Sequence, residues 1–207
     1  MKRFFLLLTS TLFFLTSFSQ TKQTKDWYIK LSGGRVSFGT GDFLGYSFSF
    51  DASKNVIKNP KTALARLLIG GEIIFENGVK NPVIQNPTIE EFLRKTFRHT
   101  SSTILWVKIS YYPFKKIING FNIQVGPTIG HSYRSTESKA TRVADPSGSV
   151  RLSTLSFDNG FTYGYRISTG FEFNLNKKIL TGFRLDFSNN NDGEINTLAG
   201  LKLGIML

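Results

Sequence analysis

The chain has 207 residues and a formal charge of +12, with 20 Phe, 7 Tyr, 2 Trp, 19 Gly and no cysteine. This length bounds it to one domain, and the missing thiols exclude disulfides, Cys-based zinc sites and an acylated-cysteine anchor. Two histidines, His99 and His131, exclude a histidine-rich metal site.

The first element is a leader. Met1-Lys2-Arg3 is a positive start, Phe4 to Phe18 is an apolar run, and Ser17-Phe18-Ser19 places small residues at the −3 and −1 positions. This pattern predicts a secretory signal peptide over 1–19, cleaved between Ser19 and Gln20, with 20–207 as the mature domain. The run is short for a membrane anchor, and no later stretch has 18 consecutive apolar residues. The mature chain is then either soluble or crosses a membrane with strands. Its basic excess reads as solvated loops, or as attraction to an anionic surface such as lipopolysaccharide. Routine contact with nucleic acid is not expected of a secreted chain.

Period-2 alternation predicts eight strands in the mature chain. The first starts with Trp27, Ile29 and Leu31, and its apolar parity changes to Val36 and Phe38 after Gly33-Gly34, which predicts a bulge there. The second sends Leu44, Tyr46, Phe48 and Phe50 one way and Ser47, Ser49 and Asp51 the other. The third opposes Leu67, Ile69, Ile73 and Phe75 to Glu72 and Glu76; the fourth opposes Leu105, Val107, Ile109 and Tyr111 to Trp106, Lys108 and Ser110. In 121–133 the apolar parity runs from Phe121 through Ile129 to Tyr133. In 161–175 it runs from Phe161, Tyr163 and Tyr165 to Phe171, Phe173 and Leu175, opposite Arg166 and Glu172. Segments 179–187 and 195–207 repeat the pattern, with Arg184, Asp186, Glu194 and Lys202 on the polar side.

Such long strands, apolar with aromatics on one face and polar on the other, suit a tilted membrane-spanning strand better than a soluble sandwich. The fold class expected is all-β, an eight-stranded antiparallel up-and-down transmembrane barrel. Short turns near Lys115 to Gly120 and at Asn176-Lys177-Lys178 fall at one end, the periplasmic one. The longest connections, 77–101 and 134–156, fall at the other, where they form outer loops open to a protein partner. Residues 52–64 form a long periplasmic turn that fits less well.

The polar face is the lumen. Glu72, Lys108, Arg166, Glu172, Arg184, Asp186, Glu194 and Lys202 are expected to form a lumen ionic network. Eight strands enclose a space that side chains fill, and charges inside it must be paired. A water-filled pore and a ligand cavity are the alternatives.

Thr88 to Phe97 reads as a short amphipathic helix, with Thr88 and Glu91 as a capping box. Arg134, Lys139, Arg142 and Arg151 lie in the second outer loop, where arginine would suit lipopolysaccharide phosphates. His131 and Ser132 are adjacent, so a strand sends them to opposite faces and they cannot act as base and nucleophile. Asn189-Asn190-Asn191-Asp192-Gly193 reads as a turn rather than a calcium loop. No catalytic residue, metal ligand or cofactor is expected, and the chain does not read as an enzyme.

The Ser-Phe-Ser-Gln leader end, the Tyr/Phe-rich strand Phe161 to Leu175 and the alternating end Gly200 to Leu207 resemble the outer-membrane β-barrel domain family of the Bacteroidetes, loosely porin-like. The resemblance covers about 26–207 and implies a bacterial outer-membrane location, an eight-stranded barrel and insertion by the barrel-assembly machinery. Many such barrels end in an aromatic residue, whereas the last residue here is Leu207. The function expected is a structural or surface-interaction barrel among outer-membrane lipid and lipopolysaccharide. A narrow solute channel, a secretion-system accessory and a lipid A-modifying enzyme are the alternatives.

Overall fold

The computed structural model describes residues 27–39, 43–56, 67–80, 92–113, 119–142, 151–176, 178–191 and 195–207. The leader residues, the signal-peptide boundary and Glu194 lie outside them. Among the described residues, eight antiparallel strands form the regular structure: β1 (Trp27–Phe38), β2 (Phe43–Asn55), β3 (Leu67–Lys80), β4 (Phe92–Tyr111), β5 (Asn119–Arg142), β6 (Arg151–Asn174), β7 (Ile179–Asn190) and β8 (Ile195–Met206). Each pairs with its sequence neighbour and β8 returns to β1, closing an up-and-down barrel. Closure satisfies the backbone of the first and last strands, which an open sheet would leave bare. It also ties the two ends of the described chain, since the Leu207 amide donates to the Trp27 carbonyl at 2.9 Å.

Alternation sets the faces. On β2, Leu44, Tyr46, Phe48 and Phe50 are exposed on the outside, while Ser47, Ser49 and Asp51 are buried inside. The other strands repeat this, so the outer surface between its rims is an apolar belt that includes Leu31, Val107, Val125, Ile167 and Leu201. Outward aromatics gather at two levels. Trp27, Tyr111, Phe121, Phe171 and Phe173 lie toward the end that holds the termini, and Tyr46, Phe75, Tyr163, Tyr165 and Phe187 toward the other.

Three sequence expectations are corrected. The β1 register runs unbroken on both sides through Gly33 and Gly34, so there is no bulge. Val36 and Phe38 instead point into the lumen, where they pack with Phe43 and Leu198. Phe38 stacks on Phe43 at 4.9 Å, and its ring fills the space that a Cβ at Gly45 or Gly78 would need.

Second, the predicted helix over 88–97 is strand from Phe92 onward, and 88–91 lie outside the described residues. Cross-strand pairing decides this, because Phe92 to Leu105 of β4 meet Arg142 to Ile129 of β5 in one continuous ladder. Third, most of the predicted outer loops 77–101 and 134–156 is strand. β3 reaches Lys80, β5 reaches Arg142 and β6 starts at Arg151. Polar, hydroxyl-rich strands such as Arg134 to Arg142 carry no apolar alternation, so only their partners hold them extended.

Candidate functional site

The lumen is the first candidate. Its buried charged residues are Lys30, Lys108, Arg166, Arg184 and Lys202 against Asp51, Glu72, Glu76, Glu172 and Asp186, so the signs balance among the described residues. Toward the end that holds the termini, Glu172 accepts from Lys30 Nζ at 2.8 Å and from the Tyr112 hydroxyl at 2.7 Å, with Lys202 Nζ at 3.5 Å. Lys30 also donates to the Tyr112 oxygen at 3.1 Å. The Tyr112 hydroxyl thus accepts from Lys30 and donates to Glu172, which fixes its direction between the two charges.

At mid-barrel Glu72 accepts from both Lys108 and Arg184. Asp51 lies 3.0 Å from Lys108 Nζ and accepts the Ser53 hydroxyl at 2.5 Å. Arg184 reaches Asp186 through Nε at 2.8 Å and through its terminal nitrogen. Above them Arg166 donates to Glu76 at 2.5 Å and stands 3.4 Å from Asp186. The fully buried Trp106 ring lies beside both cations of this layer, 4.7 Å from Lys108 Nζ and 5.7 Å from the Arg184 guanidinium carbon. The β5–β6 wall is less well satisfied: Asn122 Oδ1, Gln124 Nε2, Arg166 Nε and Ser168 Oγ are buried without a protein partner.

Two apolar clusters share the upper lumen with the Arg166–Glu76 pair, Ile74 with Ile104 and Trp106, and Val36, Phe38, Phe43 and Leu198. The void beside Arg184, lined by Ser32, Ser47, Ser49, Ile74 and Leu198, does not admit a water molecule.

Seven of the eight lumen residues named from the sequence are described, and all seven are buried among these charges. Lys30, Asp51 and Glu76 were missing from that set, although alternation had already put Asp51 and Glu76 on the polar face and puts Lys30 there too, between Ile29 and Leu31. Tyr112 stands beyond the end of β4, where alternation gives no signal.

The second candidate is the extension of β4, β5 and β6 above the level where β1 and β2 turn. Arg134, Lys139 and Arg142 are strand residues of β5, and Arg151 begins β6 opposite Thr141. Arg134 and Arg142 share one strand parity, Lys139 and Arg151 the other, so the ladder does not align all four. Leu155, Phe157 and Phe161 are exposed on the outer face of β6, and Phe157 packs on Tyr133 at 6.3 Å between ring centres. His131 is exposed outward while Ser132 is half-buried at inward parity, so the pair is not a catalytic couple. Among the described residues no three His, Cys, Asp or Glu side chains converge as a metal site would require.

No protein-family profile and no curated protein sequence matches the chain. Solved structures do resemble it. The attachment invasion locus protein Ail of Yersinia pestis shares 10% identity, with 89% of this chain and 100% of that chain covered and a TM-score of 0.41. Neisserial surface protein A shares 11% identity over 87% of this chain and 97% of that one, with a TM-score of 0.42. A major outer membrane protein from Thermus thermophilus shares 11% identity over 87% and 99%, with a TM-score of 0.41.

Proposed function

We propose that this chain is a small integral outer-membrane barrel with a closed interior, serving a structural or surface-interaction role through its strand extension. The observation that carries this reading is the inversion of faces. The outer surface bears apolar side chains between two aromatic levels, while the interior holds balanced charge. A soluble barrel needs the reverse, with the polar face toward water.

The closed interior follows from pairing. Ions buried alone would cost several kcal/mol each, so a lumen this charged is stable when its cations and anions are locked together. The apolar side chains of the upper lumen oppose passage of a hydrated solute, which speaks against the narrow-channel alternative. Secretion through the inner membrane with cleavage at Ser19–Gln20, and insertion by the barrel-assembly machinery, belong to the same reading. So does kinship with the Bacteroidetes barrels. Arg134, Lys139, Arg142 and Arg151 then lie in the extension at the height of lipopolysaccharide phosphates and sugars, where arginine forks suit phosphate.

The test uses the refolded mature chain in detergent. A heat-dependent shift on an unboiled gel, β-type dichroism and silence in planar bilayers are expected. Solubility without detergent and without a shift would overturn the membrane reading. Steady single-channel openings would overturn the closed interior.

A further inference from the structure

The ladder between β6 and β7 begins at Gly164 opposite Asn190. Beyond it β6 runs on to Arg151, paired among the described residues with β5 alone. At the boundary the Tyr163 amide donates to Asn191 Oδ1 at 3.0 Å, and its carbonyl accepts the Asn191 amide at 2.8 Å. In an antiparallel ladder the N–H and C=O of one residue point to the same side, and the side alternates along the strand. Tyr163 points toward β7, so Phe161, Asn159, Phe157, Leu155 and Ser153 point the same way, past the end of β7. The intervening residues, such as Ser156 opposite Thr136, face β5.

These five residues present a donor and an acceptor about every 6.8 Å along one edge. Three of them send exposed apolar side chains outward: Leu155 is 57% exposed, Phe157 62% and Phe161 62%. From Arg151 to Tyr163 the edge has no Pro and no Lys, and its only charges are Arg151 and Asp158. Edge strands that must stay single usually carry such guards.

We propose that this edge receives an extended segment of another polypeptide, added antiparallel to β6 in the line that β7 vacates. Alternate apolar residues of that segment lie against Leu155, Phe157 and Phe161. The repeat of donors and acceptors selects a peptide backbone rather than a lipid or a glycan, and the outward side chains set its pattern. A second copy in the same membrane fits poorly. Its β6 runs in the same vertical direction, and strands tilted by about 35–45° cross at about 70–90° around an axis normal to the membrane. This inference rests on the membrane reading, but its test separates the two.

The mature chain in lipid nanodiscs is titrated with a fluorescent peptide of about ten alternating Thr and Val residues between terminal lysines, a length matched to the edge. Saturable binding is expected, with amide exchange slowed at Leu155, Phe157, Asn159 and Phe161 and unchanged at Ser156, Asp158 and Gly160. Phe157→Pro removes an edge donor and no bond to β5, so binding falls about tenfold, while Phe157→Thr keeps the backbone and loses about threefold or less. A normal heat shift in both variants shows that the barrel is intact, so lost binding then reports on the edge and not on the membrane reading. Should Phe157→Pro fail to shift, Asn159→Pro replaces it, and the exchange pattern of the unaltered chain still decides. No saturable binding would overturn the proposal, and so would equal losses in the Pro and Thr variants, which mean apolar adhesion without a ladder. Protection of the same amides on concentrating the protein without peptide, with a dimer in sedimentation, would assign the edge to a second copy and overturn the choice of another protein.

Discussion

Tyr112 donates its hydroxyl to Glu172 Oε2 at 2.7 Å across 60 residues of sequence, tying the end of β4 to β6. The same carboxylate holds Lys30 of β1 and Lys202 of β8, so one acid links four points of the barrel wall. Glu172→Ala leaves two buried ammonium groups unpaired. It should cost about 3–5 kcal/mol, read as an earlier denaturant midpoint in detergent. A midpoint within experimental error of the parent would mean that water already solvates this end of the lumen.

Glu72 and Arg184 belong to one network, so their replacements should not add. Glu72→Gln leaves Lys108 with Asp51 alone and Arg184 with Asp186 alone, and Arg184→Met leaves Glu72 with Lys108 and Asp186 with Arg166. The double variant should be less damaged than the sum of the singles by about 0.5–3 kcal/mol, measured as a double-mutant cycle. Simple additivity would show that the two side chains do not act as a unit.

The outer face makes a depth-dependent prediction. Leu201 lies in the middle of the apolar belt, and Leu155 lies on the extension; both are exposed. Leu201→Arg should cost about 2–4 kcal/mol in lipid vesicles, and Leu155→Arg about 0–1 kcal/mol. Equal costs would place the hydrocarbon boundary elsewhere.

Phe38 closes the upper lumen against Phe43, Val36 and Leu198. Phe38→Ala should destabilise the barrel by about 3–5 kcal/mol through the cavity it leaves. Conductance should stay absent, because the Glu72–Arg184–Lys108 layer still blocks the lumen below. Openings in this variant alone would identify Phe38 as the gate.

Alternation by itself determined the face of most residues. A period of 2 is fixed by strand geometry, so Phe48 and Ser49 must part company whatever they pair with. Ring closure, however, is a property of all eight strands at once. It decided that Glu172 meets Lys30 and Lys202, that Arg166 meets Glu76, and that Val36 and Phe38 turn into the lumen with no bulge. The segments from Phe92 and toward Arg142 lack apolar alternation, and Phe92 to Phe97 even carries helical spacing. Only their mutual ladder makes them strands. Among the described residues the edge of β6 above Tyr163 is left without a second partner, because strand length is set by partners and not by the sequence of the strand alone.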